Sequence, residues 1–272
     1  MRLEDALGRI VALDAPARRV VSLVPSETES VVALAGVDRL VGRTEWCEEP
    51  AGTIEQVPTV GGTKDVDVDA VLALTPDLVL ANQEENTRAA VERLAAAGVP
   101  VHVSFPCTVV ESLAYVDRLA ELLGVPPPRL EAPPRRHPRV RVFAPVWRDP
   151  WMTFDGRTYA SDLLAWLGAD NVFAERPRRY PLAADLGAAP ARDPGERDTR
   201  YPRATVEEIG ARRPERILLP DEPFRFDESH LAEVRGWGLA ARVELVSGKD
   251  LFWYGVRTLA AMRRLSEQLE QE

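Results

Sequence analysis

The sequence predicts an α/β protein built of two similar lobes that face each other across a cleft and are joined by a rigid linker. The first observation behind this is an internal repeat. Val68–Leu80 reads Val-Asp-Ala-Val-Leu-Ala-Leu-Thr-Pro-Asp-Leu-Val-Leu, and 138 residues later Val206–Leu218 reads Val-Glu-Glu-Ile-Gly-Ala-Arg-Arg-Pro-Glu-Arg-Ile-Leu. Each copy is a short helix with an acid in its first turn, Asp69 or Glu207, then a proline that stops the helix, then a buried strand. Second, two further matches fall in the same order, Arg19–Pro25 with Arg139–Pro145 and Leu34–Val41 with Trp166–Phe173. Third, residues 124–138 hold six prolines and cannot form a regular helix. This run is read as a stiff connection, which places the lobes at 1–123 and 139–272.

The totals fit that division. At 272 residues each lobe is large enough for its own core, and 45% apolar with 28% charged residues is the composition of a soluble globular protein. Net charge is −9, lysine occurs only at Lys64 and Lys249, and no basic stripe forms, so nucleic acid is not an expected partner. The stretch Met1–Ile10 mixes charged and apolar residues and is not read as a signal peptide. As written the chain is expected to be cytoplasmic, or periplasmic or at the cell surface if a leader has been removed. No apolar run reaches membrane-spanning length. Cys47 and Cys107 give neither a disulfide framework nor zinc-ligand spacing.

Taken in order, residues 1–18 read as a short β-ribbon and Val20–Val24 as the first buried strand. Ser26 with Glu29 three residues later suggests a capping box opening a helix that ends before Gly36. Strand Leu40–Thr44 delivers Glu45 and Trp46 to a polar loop. Val60-Gly-Gly-Thr-Lys64 is a flexible turn and lacks the complete run of a P-loop. Strand Leu78–Ala81 leads to Asn82, and a helix over Thr87–Ala97 places apolar Ala90, Val91, Leu94 and Ala97 at helical spacing. Strand Val99–Val103 and helix Val110–Leu123 close the first lobe. The second begins with strand Val140–Ala144 and the aromatic loop Val146–Thr153, which holds Trp147, Arg148 and Trp151. Helix Thr158–Leu167 follows. Residues 174–200 read as a long surface loop, and Tyr201 precedes the second copy of the repeat. Pro220–Phe224, a helix containing His230, strand Val243–Val246 and the aromatic run Leu251–Val256 lead into a C-terminal helix.

Aromatics therefore collect where strands end: Trp46, Phe105, Trp147, Trp151, Phe224 and Trp253. The carboxyl ends of strands face the ligand crevice in α/β lobes, and such a lining suits a large, flat, partly apolar ligand such as a corrin, a porphyrin or an aromatic chelate. Catalytic groupings are weak. His102, His137 and His230 each lack a nucleophile or a metal-ligand set nearby in sequence, so a binding protein is expected and not an enzyme. A cofactor-using enzyme in the same cleft is the competing class, and turnover of a bound ligand would reveal it.

The combination of Pro25-Ser-x-Thr-Glu29, Gly36-Val-Asp38, Trp46-Cys47-x-x-Pro50, Pro76-Asp-Leu-Val79, Trp147-Arg-Asp-Pro-Trp151, Leu219-Pro-Asp-Glu-Pro223 and Phe252-Trp-Tyr-Gly-Val-Arg257 resembles the class III (cluster A) substrate-binding proteins of ABC importers. Within them it looks closest to the cobalamin-binding branch. The resemblance implies two Rossmann-like lobes of the helical-backbone metal-receptor type, a monomer with no intrinsic cofactor, and a corrinoid or related metal chelate as ligand; the alternatives are an intracellular corrinoid- or haem-binding protein without a permease, or an importer component for haem or a ferric siderophore. Ligand-contacting aromatics of that branch fall on Trp46 and Tyr201, while other ligand-contacting positions fall on Asn82, Val146 and Met152. Trp147, Trp151 and Trp253 are expected to stack on the ligand as well, with Glu45, Arg148 and Arg257 selecting its amides or carboxylates. By the same resemblance Asp69 and Glu207 are the acids that dock on arginines of the importer's permease. Three departures stand out: no leader, a proline-rich connection in place of a long backbone helix, and extra residues at 180–200.

Overall fold

In the computed structural model, which describes residues 1–271, the chain divides into two compact units. One comprises Met1–Pro106, Val110–Glu131 and Tyr254–Thr258; the other comprises Cys107–Val109, Ala132–Trp253 and the chain from Leu259 onward.

The first unit opens on an antiparallel ribbon, β1 (Arg2–Glu4) and β2 (Ile10–Ala12). The buried Asp5 ties its turn by accepting from the backbone N–H of Leu7 and of Arg9, both at 2.9 Å. Then come β3 (Val20–Ser22), α1 (Pro25–Ala35), β4 (Leu40–Arg43), α2 (Val68–Ala73), β5 (Leu78–Asn82), α3 (Arg88–Ala96), β6 (Val101–Ser104) and α4 (Val109–Leu123). The four later strands form a parallel sheet in the order β4-β3-β5-β6. Strands covered on both faces need side chains that tolerate burial throughout, and every residue of β3, β5 and β6 is buried. Helix α3 starts where Thr87 accepts from the Ala90 N–H and packs Val91 and Leu94 on the sheet.

The second unit repeats the plan with β7 (Val140–Phe143), α5 (Tyr159–Trp166), β8 (Ala169–Asn171), α6 (Leu182–Asp185), α7 (Val206–Ala211), β9 (Arg216–Pro220), α8 (Glu228–Arg235), β10 (Arg242–Val246), α9 (Gly248–Phe252) and α10 (Thr258–Glu270). Its parallel sheet runs β8-β7-β9-β10, so each strand stands where its counterpart stands in the first unit.

The repeat extends to individual atoms. Helix α2 is followed by Thr75 at φ 45° and helix α7 by Arg213 at φ 48°, each in the left-handed region that turns the chain out of a helix. The carbonyls freed there need donors. Arg19 supplies them in the first unit, from Nη2 to Leu74 O at 2.6 Å and from Nε to Thr75 O at 3.2 Å. Arg141 does so in the second, to Arg212 O at 2.6 Å and to Arg213 O at 3.2 Å. The carboxylates of Asp77 and Glu215 accept from the backbone N–H of these same arginines. Strand register agrees, since Val20 pairs with Leu78 and Val142 with Arg216. The partner of Arg19 is therefore Arg141, two residues beyond the Arg139 that the sequence match selects.

Other local expectations shift too. Ser26 does not cap α1, which starts at Pro25 after Val24 without a side-chain cap. Residues 174–200 are not plain loop; they contain α6 and a bridge between Tyr180 and Arg192. Residues 126–139 form neither helix nor strand. No helix is long and apolar enough to cross a membrane among the described residues.

Candidate functional site

Because each large sheet is parallel, the carboxyl ends of its strands share one edge, and the loops leaving that edge are where the predicted site residues gather. In the first unit β4 hands on to Glu45 and Trp46, both exposed, with the indole 59% exposed. The base of this loop is stiff. Arg43 donates to the carbonyls of Ile54 at 3.1 Å, Thr44 at 3.2 Å and Cys47 at 3.0 Å. Gly62 leaves the room the indole needs: a Cβ there would stand 3.2 Å from Trp46 Nε1 and 2.3 Å from Asp65 Oδ1. Gly61, at φ 86°, instead makes way for the backbone of Asp65, whose carbonyl oxygen would lie 2.6 Å from a Cβ there.

Asn82 and Arg257 lie in the first unit but are engaged with protein groups. Asn82 is buried, and its Nδ2 donates to Ser104 Oγ at 3.2 Å and Tyr254 Oη at 3.1 Å. Arg257 forms a two-pronged pair with Glu29 at 2.8 and 2.7 Å. Both belong to a network around the return segment Tyr254–Thr258. Its centre is Glu27, fully buried on α1, whose Oε1 accepts from Ser104 and, at 2.8 Å, from Tyr254. Oε2 meets no donor. Burial pushes the Glu27 carboxyl up to about 7, although the hydroxyls of Ser104 and Tyr254 pull the other way. Gly255, at φ 94°, admits no other residue comfortably, since a Cβ would fall 2.4 Å from Ser30 Oγ.

In the second unit the loop after β7 folds back on itself through a bridge between Trp147 and Met152, with Asp149 at φ 61°. This brings Trp147, Arg148 and Trp151 into one hairpin, next to the strand-like stretch holding Tyr201, because Met152 also bridges Arg203. Trp147 is 46% exposed and meets Phe224 edge-on at 5.3 Å. Trp151 is only 9% exposed, stacked on Phe226 at 5.8 Å and meeting Trp237 edge-on at 4.9 Å. Arg148 grips Glu233 at 2.9 and 3.1 Å. His230 is structural: it forms a capping box with Asp227 at the start of α8 and sets its ring edge-on to Phe224 and Phe226. Tyr201 is half-buried beneath Arg200 at 5.7 Å, and Trp253 is 8% exposed with Lys249 at 5.3 Å from its ring.

Broad indole faces are thus presented by Trp46 and Trp147, whereas Trp151, Tyr201 and Trp253 are more covered. Sequence reasoning missed Phe226 and Trp237, which bury Trp151; the aromatic spacing of Phe224 and Phe226 was the available signal. It missed Glu27 because an acid in a first helical turn looks like an ordinary dipole partner. Asp69 and Glu207 are both exposed at equivalent positions of α2 and α7. Asp69 pairs with Arg93 at 2.5 Å, while its own backbone N–H and the Thr205 hydroxyl hold Glu207 below the usual carboxylate range. No group of three or more His, Cys, Asp or Glu side chains fit to hold a metal ion occurs among the described residues.

Known proteins resemble this chain in both sequence and fold. Residues 20–126 match the family described as periplasmic binding protein. Over 269 residues the chain is 25% identical to the vitamin B12-binding protein of Yersinia pestis (strain Pestoides F), covering 93% of this chain and 86% of the relative. Over 273 residues it is 26% identical to the vitamin B12-binding protein of Vibrio parahaemolyticus, covering 94% and 90%. Among solved structures it is similar to the periplasmic vitamin B12 binding protein of Vibrio cholerae, with TM-score 0.71, 20% identity and coverage of 94% of this chain and 97% of that one. A periplasmic heme binding protein from Pseudomonas aeruginosa aligns with TM-score 0.70, 20% identity and coverage of 93% and 92%. The chain is similar to periplasmic binding proteins in sequence, and its α/β fold with parallel sheets is similar to that of their solved structures. These relatives are binding proteins and not enzymes, which is the class the sequence predicts.

Proposed function

We propose that this chain is the substrate-binding component of an ABC importer and takes a corrinoid, cobalamin or cobinamide, or a closely related metal chelate. The observation that carries the reading is the pair of exposed indoles, Trp46 and Trp147, each held on a braced loop at the carboxyl edge of a parallel sheet. Singly exposed hydrophobic residues are ordinary, but an indole face held on a braced strand-end loop is a surface that a flat macrocycle covers well. Glu45, next to Trp46 in the chain, and Tyr201, on the stretch bridged to the Trp147 hairpin through Met152 and Arg203, offer polar contacts to side-chain amides or carboxylates. Arg148 and Arg257, held by Glu233 and Glu29, select charge on the ligand only by sharing those partners.

Vitamin B12-binding relatives across nearly the whole chain favour the corrinoid. The heme-binding structure of nearly equal similarity makes haem the second reading. The compartment we infer is the periplasm or the cell surface, in keeping with the relatives, in place of the cytoplasm suggested by Met1–Ile10. Asp69 and Glu207, exposed and equivalent, are the residues we assign to permease docking. Equilibrium dialysis against cyanocobalamin, cobinamide, haemin and a ferric siderophore tests the reading. Retention of cyanocobalamin or cobinamide in near-equimolar amount is expected, and retention of none of the four would remove the chelate class.

A further inference from the structure

The segment from Arg176 to Arg203 carries more guanidinium groups than carboxylates to receive them. Arg176 is buried and fully served, by Asp185 at 2.8 Å, Glu208 at 3.0 Å and the carbonyls of Pro177 and Asp185. The Asp185 oxygens also accept the backbone N–H of Arg179 and of Arg203, each at 2.8 Å. Glu208 is shared with Arg212 at 2.9 Å, and Asp198 is taken by Arg200 at 2.8 Å. Arg178 and Arg203 are left over. Nε of Arg178, and Nε and Nη1 of Arg203, are shut away from solvent and meet no acceptor. The Arg178 guanidinium is kept in place over the Tyr180 ring at 4.5 Å. The Asp185 carboxylate, shared by the backbone N–H of Arg179 and of Arg203, keeps the two stretches of chain together, and burial, then the charge of Arg178, hold Arg203 below the usual arginine range although Asp185 pulls the other way.

Buried N–H groups without acceptors are costly, and two like charges side by side add to that cost. Water would supply acceptors but no charge. An oxyanion supplies both, and a guanidinium fork matches a pair of its oxygens. We propose that Arg178 and Arg203 form a binding site in the second unit for a small oxyanion group of the phosphate, sulfate or carboxylate kind. The site uses neither Trp46 nor Trp147, so it stands apart from the chelate reading.

Calorimetric titration of the full chain with inorganic phosphate, at ionic strength held constant with chloride, tests it without any chelate present. Saturable one-site binding is expected, weakened by about tenfold or more in R178Q or R203Q, because a charge-assisted hydrogen bond contributes on the order of 1.5–3 kcal/mol. The R88Q variant, altering an exposed arginine paired with Glu92 on α3, should bind phosphate as the wild type does. Should R203Q fail to fold, phosphate protection of Arg178 and Arg203 in the wild type from phenylglyoxal, read by mass spectrometry, gives the answer instead. Succinate that competes with phosphate identifies an acid group of a transported molecule as the occupant; succinate that does not compete identifies a free tetrahedral anion. Absence of saturable phosphate binding, or binding equal in wild type and both arginine variants, would overturn the proposal.

Discussion

Glu27 and His102 are both ionisable and both buried in the first unit, and they pull stability in opposite directions with pH. Burial raises Glu27 from 4.5 to about 7, so the fold holds that proton more tightly than the unfolded chain does. Its contribution is fully present below pH 4.5 and is lost as the pH rises through about 7. Burial lowers His102 from 6.5 to about 4, and neither ring nitrogen finds a partner. Its contribution is present above pH 6.5 and is lost as the pH falls through about 4. Replacing Glu27 by Gln removes the first slope and leaves the second. Chemical denaturation should show the E27Q minus wild-type stability moving in the variant's favour by up to about 3 kcal/mol between about pH 5 and about pH 8. An unchanged difference across that range would mean that Glu27 does not titrate there. None of this was legible in the sequence, because Ser104 and Tyr254 lie 77 and 227 positions from Glu27.

At the level of elements the repeat was readable and its register was not. Alternating Arg-Val-Arg-Val at 139–142 offers two arginines to match Arg19, and only the freed carbonyls after α7 decide between them. The structure selects Arg141, and the energetic consequence separates the two. R141A should cost about 1–2 kcal/mol, as two hydrogen bonds to otherwise unserved carbonyls are lost, while R139A, on an exposed side chain, should stay within about 0.5 kcal/mol of wild type. Equal losses in thermal unfolding would sink the assignment. R19A should behave as R141A does, since the same device closes the first copy. The capping box expected at Ser26 failed for a related reason: Pro25 already has the φ that a first helical residue needs, so the helix begins there without a side-chain cap.

For the molecule as a whole, strand-end aromatics were legible as positions, but their exposure was not, because burial of Trp151 depends on Phe226 and Trp237 far along the chain. The same holds for the paired acids. Sequence matched Asp69 with Glu207, and the structure leaves both exposed on equivalent helices. If they dock on a cationic permease, charge reversal as D69K or E207K should abolish uptake by the assembled importer while leaving chelate affinity within about twofold, since exposed side chains remote from a ligand contribute little to holding it. Loss of chelate binding in either variant would instead place that acid at the ligand. The most direct test of the account is intrinsic tryptophan fluorescence of the wild type, W46A and W147A, titrated with cyanocobalamin and corrected for absorbance with free tryptophan. Saturable quenching in the wild type, with affinity about tenfold weaker in each variant, is the predicted result, as loss of one stacking face costs roughly 1.5 kcal/mol. Saturable quenching of equal affinity in all three proteins would contradict it.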